Sequence, residues 1–199
     1  MKKIIIFTAI TSFFYLSITA DTVIAGPVAG TSDSSSAAIQ WAANIPVIVP
    51  GEFITFTGDN SGPIKDGMLD IQANGKFSST PVLLELRYYD DETGDIGTGV
   101  IVGEDVPGLG LVKANTITYR VSAVQLTSKQ DNDLSGTQAQ VLMNNVPVSS
   151  NVDLVETDAD SWKTSWSIKN KPGSGIDDTV AGDTVTATTV IYADVNFAN

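Results

Sequence analysis

The sequence predicts an all-β chain, an antiparallel sandwich or barrel with very little helix. Two observations support this prediction: short runs of alternating apolar residues recur along the chain, and turns rich in Gly, Pro, Asn and Asp separate them. Helical periodicity is nearly absent. Neither a linker nor an internal repeat divides the later part of the chain, so we expect one β-domain over residues 50–199.

Residues 1–25 have the pattern of an export signal peptide. Two lysines precede an apolar stretch over residues 4–18, which is too short for a membrane span. Val23 and Ala25 suit the −3 and −1 positions of the preferred cleavage site, and cleavage after Ala20 is the alternative. No later apolar run has the length of a spanning helix, so we expect an exported protein without membrane insertion.

The composition excludes several chemistries. The chain has no cysteine and no histidine, so disulfides, a cysteine nucleophile, a Ser–His–Asp triad and an ordinary zinc site are ruled out. Its formal net charge of −12 disfavours nucleic acid and anionic membranes as partners. No pattern places two carboxylates across a cleft, as a glycosidase needs, so we expect neither enzymatic activity nor a cofactor.

Residues 26–49 combine a flexible leader with a strongly alternating strand. Gly, Ser and Ala dominate residues 26–36. The odd positions that follow form one apolar ridge: Ile39, Trp41, Ala43, Ile45, Val47 and Val49. Pro46 and Pro50 lie on the other parity, and proline cannot donate to a ladder, so this strand should be an edge or pair on one side only. Trp41 would also suit the first core residue of an ordinary strand.

The same alternation ends the chain. Its inward positions would be Val185, Ala187, Thr189, Ile191, Ala193, Val195 and Phe197. Chain ends are usually frayed and polar, so apolar ridges at both ends indicate that both are buried. The N-terminal ridge need not be buried in its own subunit, because a subunit that polymerises by donating a strand to its neighbour would have this pattern.

A succession of strands is predicted between these two ends. The predicted runs are 52–57, 67–73, 82–89, 99–102, 109–112, 116–126, 139–143 and 152–155. The run 116–126 changes parity near its end, which predicts a β-bulge. Trp162, Trp166 and Ile168 are expected on one face of a further strand, where core packing is favoured over sugar stacking. Residues 134–143 also allow a short helix.

Two acidic loops are candidates for calcium binding. Asp131, Asp133 and Ser135 match the first positions of a calcium loop, but the twelfth position falls on Leu142, where a bidentate Glu is required. A polar hairpin loop is therefore favoured over a weak Ca²⁺ site. The acidic cluster over residues 90–95 is likewise interpreted as a solvated hairpin tip.

Three segments together resemble chaperone–usher fimbrial subunits. They are AAIQWAANIPVIVP at 37–50, GMLDIQANGKFSSTPVLLELRYY at 67–89 and VAGDTVTATTVIYADVNFAN at 180–199. The resemblance is to the common-pilus (Mat-type) major fimbrillins and, more widely, to the alpha-type pilins. The absence of cysteine fits this branch better than the disulfide-bearing type 1 pilins.

The resemblance implies an incomplete immunoglobulin-like antiparallel β-sandwich that is completed by a donated N-terminal strand. In that family a periplasmic chaperone pairs with the C-terminal strand, and at the outer-membrane usher the extension of the next subunit replaces the chaperone. Carried onto this chain, the donor residues would be Ile39, Trp41, Ala43, Ile45 and Val47. The inward positions from Val185 to Phe197 would border the groove and pair with the chaperone. Many pilins carry a penultimate Tyr, whereas this chain has Phe197 third from its end.

The expected function is that of the major shaft subunit of an adhesive surface pilus, exported through the periplasm and supporting attachment and biofilm formation. Its partners would be identical subunits in a helical homopolymer, the chaperone, the usher and a tip adhesin. The alternative is a secreted β-sandwich that binds carbohydrate or matrix with the help of Ca²⁺. Deleting residues 26–49 would abolish polymerisation of a pilin and leave such a binding module folded.

Overall fold

The computed structural model describes residues 48–104, 113–176 and 182–197. These residues form an all-β structure of antiparallel sheets, consistent with a β-sandwich. The strands are β1 (Ile54–Thr57), β2 (Leu69–Ile71), β3 (Phe77–Ser79), β4 (Val82–Tyr89), β5 (Ile96–Gly99), β6 (Ala114–Val121), β7 (Gln125–Ser128), β8 (Ala139–Met143), β9 (Val146–Val148), β10 (Leu154–Glu156), β11 (Lys163–Asn170), β12 (Val185–Thr188) and β13 (Ile191–Phe197). Single 3-10 turns lie at Asp59–Ser61 and Ala159–Trp162. None of the helices described is long and apolar enough to cross a membrane.

The first sheet is built around two central strands, β4 and β11. β4 lies between β1 and β11, and β11 lies between β4 and β8, with Trp166 opposite Val82 on one side and Met143 on the other. β2 and β3 pair with each other, and β3 also pairs with β11. β5 pairs with β4 and β9 pairs with β8, so all the pairs of this sheet are antiparallel.

The second sheet consists of a long two-stranded ribbon with one short strand beside it. β6 is its central strand, because Tyr119 lies opposite Leu154 of β10 and opposite Ala193 of β13. Beyond a bend, β7 pairs with β12 and so prolongs the pairing of β6 with β13. The last two described strands, β12 and β13, therefore form one lateral edge of the ribbon.

The bend in the ribbon is a β-bulge. Val185 and Ile191 are six residues apart, whereas their partners Ser128 and Val121 are seven residues apart. The inner strand thus carries one extra residue between Val121 and β7. The bulge predicted from the change of parity in 116–126 is confirmed, and the register places it on the inner strand of the ribbon.

The hydrophobic core lies between the two sheets. Its buried residues are Leu84, Leu86, Tyr88, Val100, Val102, Ala114, Ile117, Tyr119, Val121, Val141, Met143 and Trp166. Two aromatic contacts join the sheets: Tyr119 meets Trp166 edge-on with ring centroids 6.1 Å apart, and Tyr88 stacks on Phe197 at 6.2 Å. The far end of β13 is therefore held against β4 of the opposite sheet.

The strand predicted at 99–102 and the helix allowed over 134–143 both differ from the structure. The strand expected at 99–102 lies earlier, at Ile96–Gly99, where it pairs with the end of β4. The short helix allowed over 134–143 is wrong, because 139–143 forms β8 and pairs with strands on both sides, which outweighs local helix preference. The strand expected at 109–112 lies outside the described residues.

The two described tryptophans occupy different environments. Trp166 is buried in the core, and its Nε1 donates a hydrogen bond to Thr164 Oγ1 at 2.8 Å. Trp162 ends a 3-10 turn and precedes the strand, with its ring centroid 5.3 Å from Arg87 Cζ and 4.4 Å from Lys163 Nζ. The prediction of one strand carrying both tryptophans is therefore wrong for Trp162, because β11 begins only after it.

Candidate strand-pairing edge

The last two strands of the described chain form an unpartnered side of the second sheet. We call β12 and β13 together, residues 185–197, the open edge. β7 and β6 pair with its inner side, and within residues 48–104, 113–176 and 182–197 no strand pairs with its outer side. All seven positions predicted to border a groove lie on or between these two strands.

Side chains that point inward from the open edge are incompletely covered. On the central strand β6 the inward residues Ile117, Tyr119 and Val121 are all 0 % exposed. Directly opposite them on β13, Val195, Ala193 and Ile191 pack against the same core but are only partly buried. Because both rows face one core, the difference comes from the outer side of β13, where no other described strand lies.

The backbone of these inward residues on β13 also points to the open side. The N–H of Ser122 donates to the carbonyl of Val190 at 2.9 Å, so the backbone of Val190 faces the inner strand. The carbonyl of Val121 accepts from the N–H of Asn151 at 2.8 Å, so it faces away from β13. These orientations alternate along an antiparallel pair, so the residues that present N–H and C=O groups outward are Ile191, Ala193 and Val195.

The same parity holds on the other side of the bulge. The N–H of Lys129 donates to the carbonyl of Thr184 at 3.0 Å, so the backbone of Thr184 faces the inner strand. By the same alternation, Val185 and Ala187 present their backbone groups outward. The open edge therefore keeps one alternation on both sides of the bend, because the extra residue belongs to its neighbour.

Thr189 lies at the bend and differs from the other predicted groove residues. Its Oγ1 donates to the carbonyl of Ser122 at 2.9 Å and lies 3.2 Å from Ser122 Oγ. Ser122 Oγ in turn accepts from the N–H of Val190 at 2.9 Å. These hydroxyl bonds replace part of the ladder at the bulge, so Thr189 stabilises the bend.

The open edge lacks the features that normally keep foreign strands away. Natural edges carry proline, lysine, other charges or bulges that discourage pairing. Residues 185–197 contain no proline and no lysine. Their one charged residue, Asp194, is exposed on the face of the sheet that is turned away from the core. The bulge at the bend lies on the inner strand, and at the register shift before Phe197 the extra residue, Asn115, also belongs to the inner strand. Backbone and side chains of the open edge are thus both suited to pairing with a further strand.

A buried ion pair lies on central strand β4. Glu85 is 3 % exposed, and its Oε2 accepts from Arg87 Nη2 at 2.6 Å, from Arg87 Nε at 2.9 Å and from the N–H of Ser61 at 3.1 Å. Burial favours the neutral acid, but the hydrogen bonds from Arg87 and from the backbone of Ser61 and Asn60 outweigh it and lower the pKa of Glu85 below 4.5. Glu85 is therefore an ionised, fully bonded structural group.

The three calcium candidates lie in the loop between β7 and β8. Asp131 and Ser135 border an open cavity of about 480 Å³. Asp133 instead accepts the N–H of Ser135 at 2.9 Å, a bond that lowers the pKa of Asp133. In the described part of the chain no three acidic side chains are grouped so that they could hold a metal ion.

Asp183 anchors this loop to β12, a role that the sequence does not reveal. Its carboxylate accepts from Ser128 Oγ and Asn132 Nδ2, both at 2.7 Å, and from the N–H groups of Gln130 and Thr184 at 3.1 and 2.7 Å. Three of these partners lie more than 50 residues away along the chain, so no local pattern could have indicated them.

The predicted donor residues Ile39, Trp41, Ala43, Ile45 and Val47 lie outside the described residues, as do the signal peptide 1–25 and the leader. No protein-family model and no curated protein sequence matches the chain. The features of this chain that bear on function are the geometry of the open edge and the alternating pattern of residues 37–49.

Proposed function

We propose that this protein is the major shaft subunit of an adhesive surface pilus, in which each subunit donates residues 39–47 to the open edge of a neighbour. The observation that carries this proposal is the open edge itself, with half-covered apolar side chains and outward N–H and C=O groups on an unprotected strand. Export through the periplasm, a chaperone that covers the edge, an outer-membrane usher and a role in attachment and biofilm formation belong to the same proposal.

The strand order supports an immunoglobulin-like sandwich that lacks one strand. In immunoglobulin constant domains one sheet has the order A-B-E-D and the other the order C-F-G. The first sheet matches the order A-B-E-D, with β1 as A, β4 as B, β11 as E and β8 as D. In the second sheet, β6 corresponds to C and β13 to F. The position of strand G is then the outer side of β13, which is the open edge.

The energetics support a long-lived joint between subunits. Burying one large apolar side chain contributes roughly 1.5–3 kcal/mol. Five inward donor residues, Ala43 the smallest, would contribute on the order of 10 kcal/mol before the cost of ordering the segment. The donated backbone would also bond with the outward groups of Ile191, Ala193 and Val195, which a lone subunit leaves to water.

The proposal is tested on protein purified from the cell surface and heated in SDS at graded temperatures. We expect multimer bands that collapse only on boiling, and we expect the double variant Trp41→Asp plus Ile45→Asp to lack them, because two charges would enter the apolar groove. The matched control is Gln40→Asp plus Asn44→Asp, which places the same charges on the opposite parity and should keep the bands. A single monomer band from the wild type at every temperature would reject the pilin and favour a secreted binding module.

A further inference from the structure

We propose that Pro46 selects which side of the donated segment pairs with the open edge and closes its other side to a further strand. This inference rests on the proposed function, because it takes residues 39–47 as the donated strand. It assigns a specificity-determining role to a residue that contributes no apolar side chain to the inward ridge.

Residues along the open edge alternate in the direction of both their side chains and their backbone groups. Ile191, Ala193 and Val195 point their side chains inward and their backbone groups outward, toward an incoming strand. In an antiparallel pair, residues directly opposite each other have side chains on the same face, and both point their backbone groups toward the partner or both away from it. Inward residues of the incoming strand must therefore be the ones that bond with the edge.

The apolar ridge of residues 39–47 occupies odd positions, so odd residues would bond with the open edge. The backbone of the even residues Gln40, Ala42, Asn44 and Pro46 would then point away from it. Proline has no N–H to donate, and here that missing donor falls on the side without a partner. In a parallel pair with the same faces inward, even residues would bond with the edge, and Pro46 would remove one bond.

Insertion would therefore convert an unprotected edge into a protected one. The open edge has no proline and no lysine over residues 185–197. Once it is covered, the outermost side of the sheet would belong to the donated strand, where Pro46 interrupts the row of donors and Pro50 follows on the same parity. Sheet growth would end at one donated strand per subunit.

The first test compares Asn44→Pro with Ala43→Pro in the full chain, using the graded heating in SDS described above. Asn44→Pro removes an N–H from the outward side, so we expect the multimer bands to persist as in the matched control Asn44→Ala. Ala43→Pro removes an N–H that would bond with the edge, so we expect the bands to be lost. The assignment of sides would be overturned if Asn44→Pro lost the bands while Asn44→Ala kept them. It would also be overturned if Ala43→Pro kept the bands. Strand donation itself would stand in either case.

The second test uses Pro46→Ala, which restores an N–H on the outward side. We expect its multimer bands to match the wild type and its fibres to associate laterally, seen as thicker bundles by electron microscopy and as increased light scattering. Unchanged fibre thickness and scattering would overturn the protective role of Pro46. Absence of multimer bands from the wild type itself would reject the proposed function and this inference together.

Discussion

The strands β6 and β13 lie side by side in one sheet and face one core, yet they are covered to different degrees. Tyr119 and Ala193 are direct partners, and so are Val121 and Ile191. Every inward residue of β6 from Ile117 to Val121 is fully buried, whereas the partners on β13 remain partly exposed. The two sequences alternate equally well, so the difference arises from position in the sheet.

Full burial of a strand in a sandwich therefore needs a neighbouring strand on each side. β6 has β10 and β13 beside it, and β13 has β6 alone among the described strands. A side chain on an edge strand is covered from below by the opposite sheet and from one flank only. A partly buried apolar row along such a strand leaves apolar surface that one more strand would cover.

Truncating a buried side chain of β6 should destabilise the subunit most. Tyr119→Ala should lower the free energy of unfolding by about 3–5 kcal/mol, because it empties a buried aromatic site and removes the bond from Tyr119 Oη to the carbonyl of Ser161 at 2.8 Å. The control Tyr192→Ala changes a side chain of β13 that is 46 % exposed and should have little effect. Urea unfolding of the purified subunit measures both variants. Equal losses of unfolding free energy in the two would contradict the difference in burial between β6 and β13.

A second prediction concerns Glu85 on β4, a central strand of the first sheet. Glu85→Gln should lower the free energy of unfolding at pH 7 by about 2 kcal/mol, because a buried, charge-assisted network is lost. The pKa of Glu85 is lowered in the folded protein, so its contribution is complete above pH 4.5 and is lost as the pH falls through the folded pKa. The thermal unfolding temperatures of wild type and variant should therefore converge in acid.

The control for this prediction is Glu92→Gln, at the exposed tip of the β4–β5 hairpin. It removes the same charge from a solvated site, where a single charge contributes little to stability. If the difference in unfolding temperature between wild type and Glu85→Gln stays constant from pH 7 to strongly acid conditions, the charge of Glu85 is not what stabilises the fold.

A third prediction compares one substitution on the two strands. Val121→Ala should cost about 2 kcal/mol in the isolated subunit, because two buried methyl groups are lost and a cavity remains. Val195→Ala should cost about 1 kcal/mol or less, because that site is already partly exposed. In the fibre, Val195→Ala should also lower the temperature at which multimers dissociate in SDS, and a fibre insensitive to it would argue against burial of this row on assembly.

The smallest expected effect concerns the bend in the ribbon. Thr189→Val keeps the shape of the side chain but removes the hydroxyl that donates to the carbonyl of Ser122, and it should cost about 1 kcal/mol. Thr188→Val changes an exposed neighbour on β12 and serves as the control. Equal stabilities of the two variants in urea would show that the hydroxyl bonds do not hold the bulge.

The sequence predicted the elements whose patterns are local. β4 and β8 have the predicted bounds, because each is a mainly apolar run between turns, and the bulge was visible as a change of parity. β3 and β9 were missed, because Phe77–Ser79 is short and largely polar and Val146–Val148 contains a proline. These two strands exist because longer strands pair with them.

Alternation in the sequence predicted which side chains of the open edge point inward, but not the geometry of the edge. Alternation alone identified the inward positions from Val185 to Phe197. It could not show that the outer side of β13 has no partner among the described strands, because pairing depends on strands far away in the chain. Nor could it show that Thr189 bonds with Ser122 or that the extra residue belongs to the inner strand, since both follow from the register between two distant segments.

The environments of the tryptophans have an optical consequence. Trp166 is sealed in the core beside Tyr119, and Trp162 is flanked by the charged ends of Arg87 and Lys163, so neither lies on the open edge. Indole fluorescence shifts to shorter wavelength when the ring leaves water, and the chain has three tryptophans. If subunits join as proposed, Trp162 and Trp166 supply a constant background and the emission of Trp41 shifts as the joint forms, so the unlabelled protein reports its own assembly in real time.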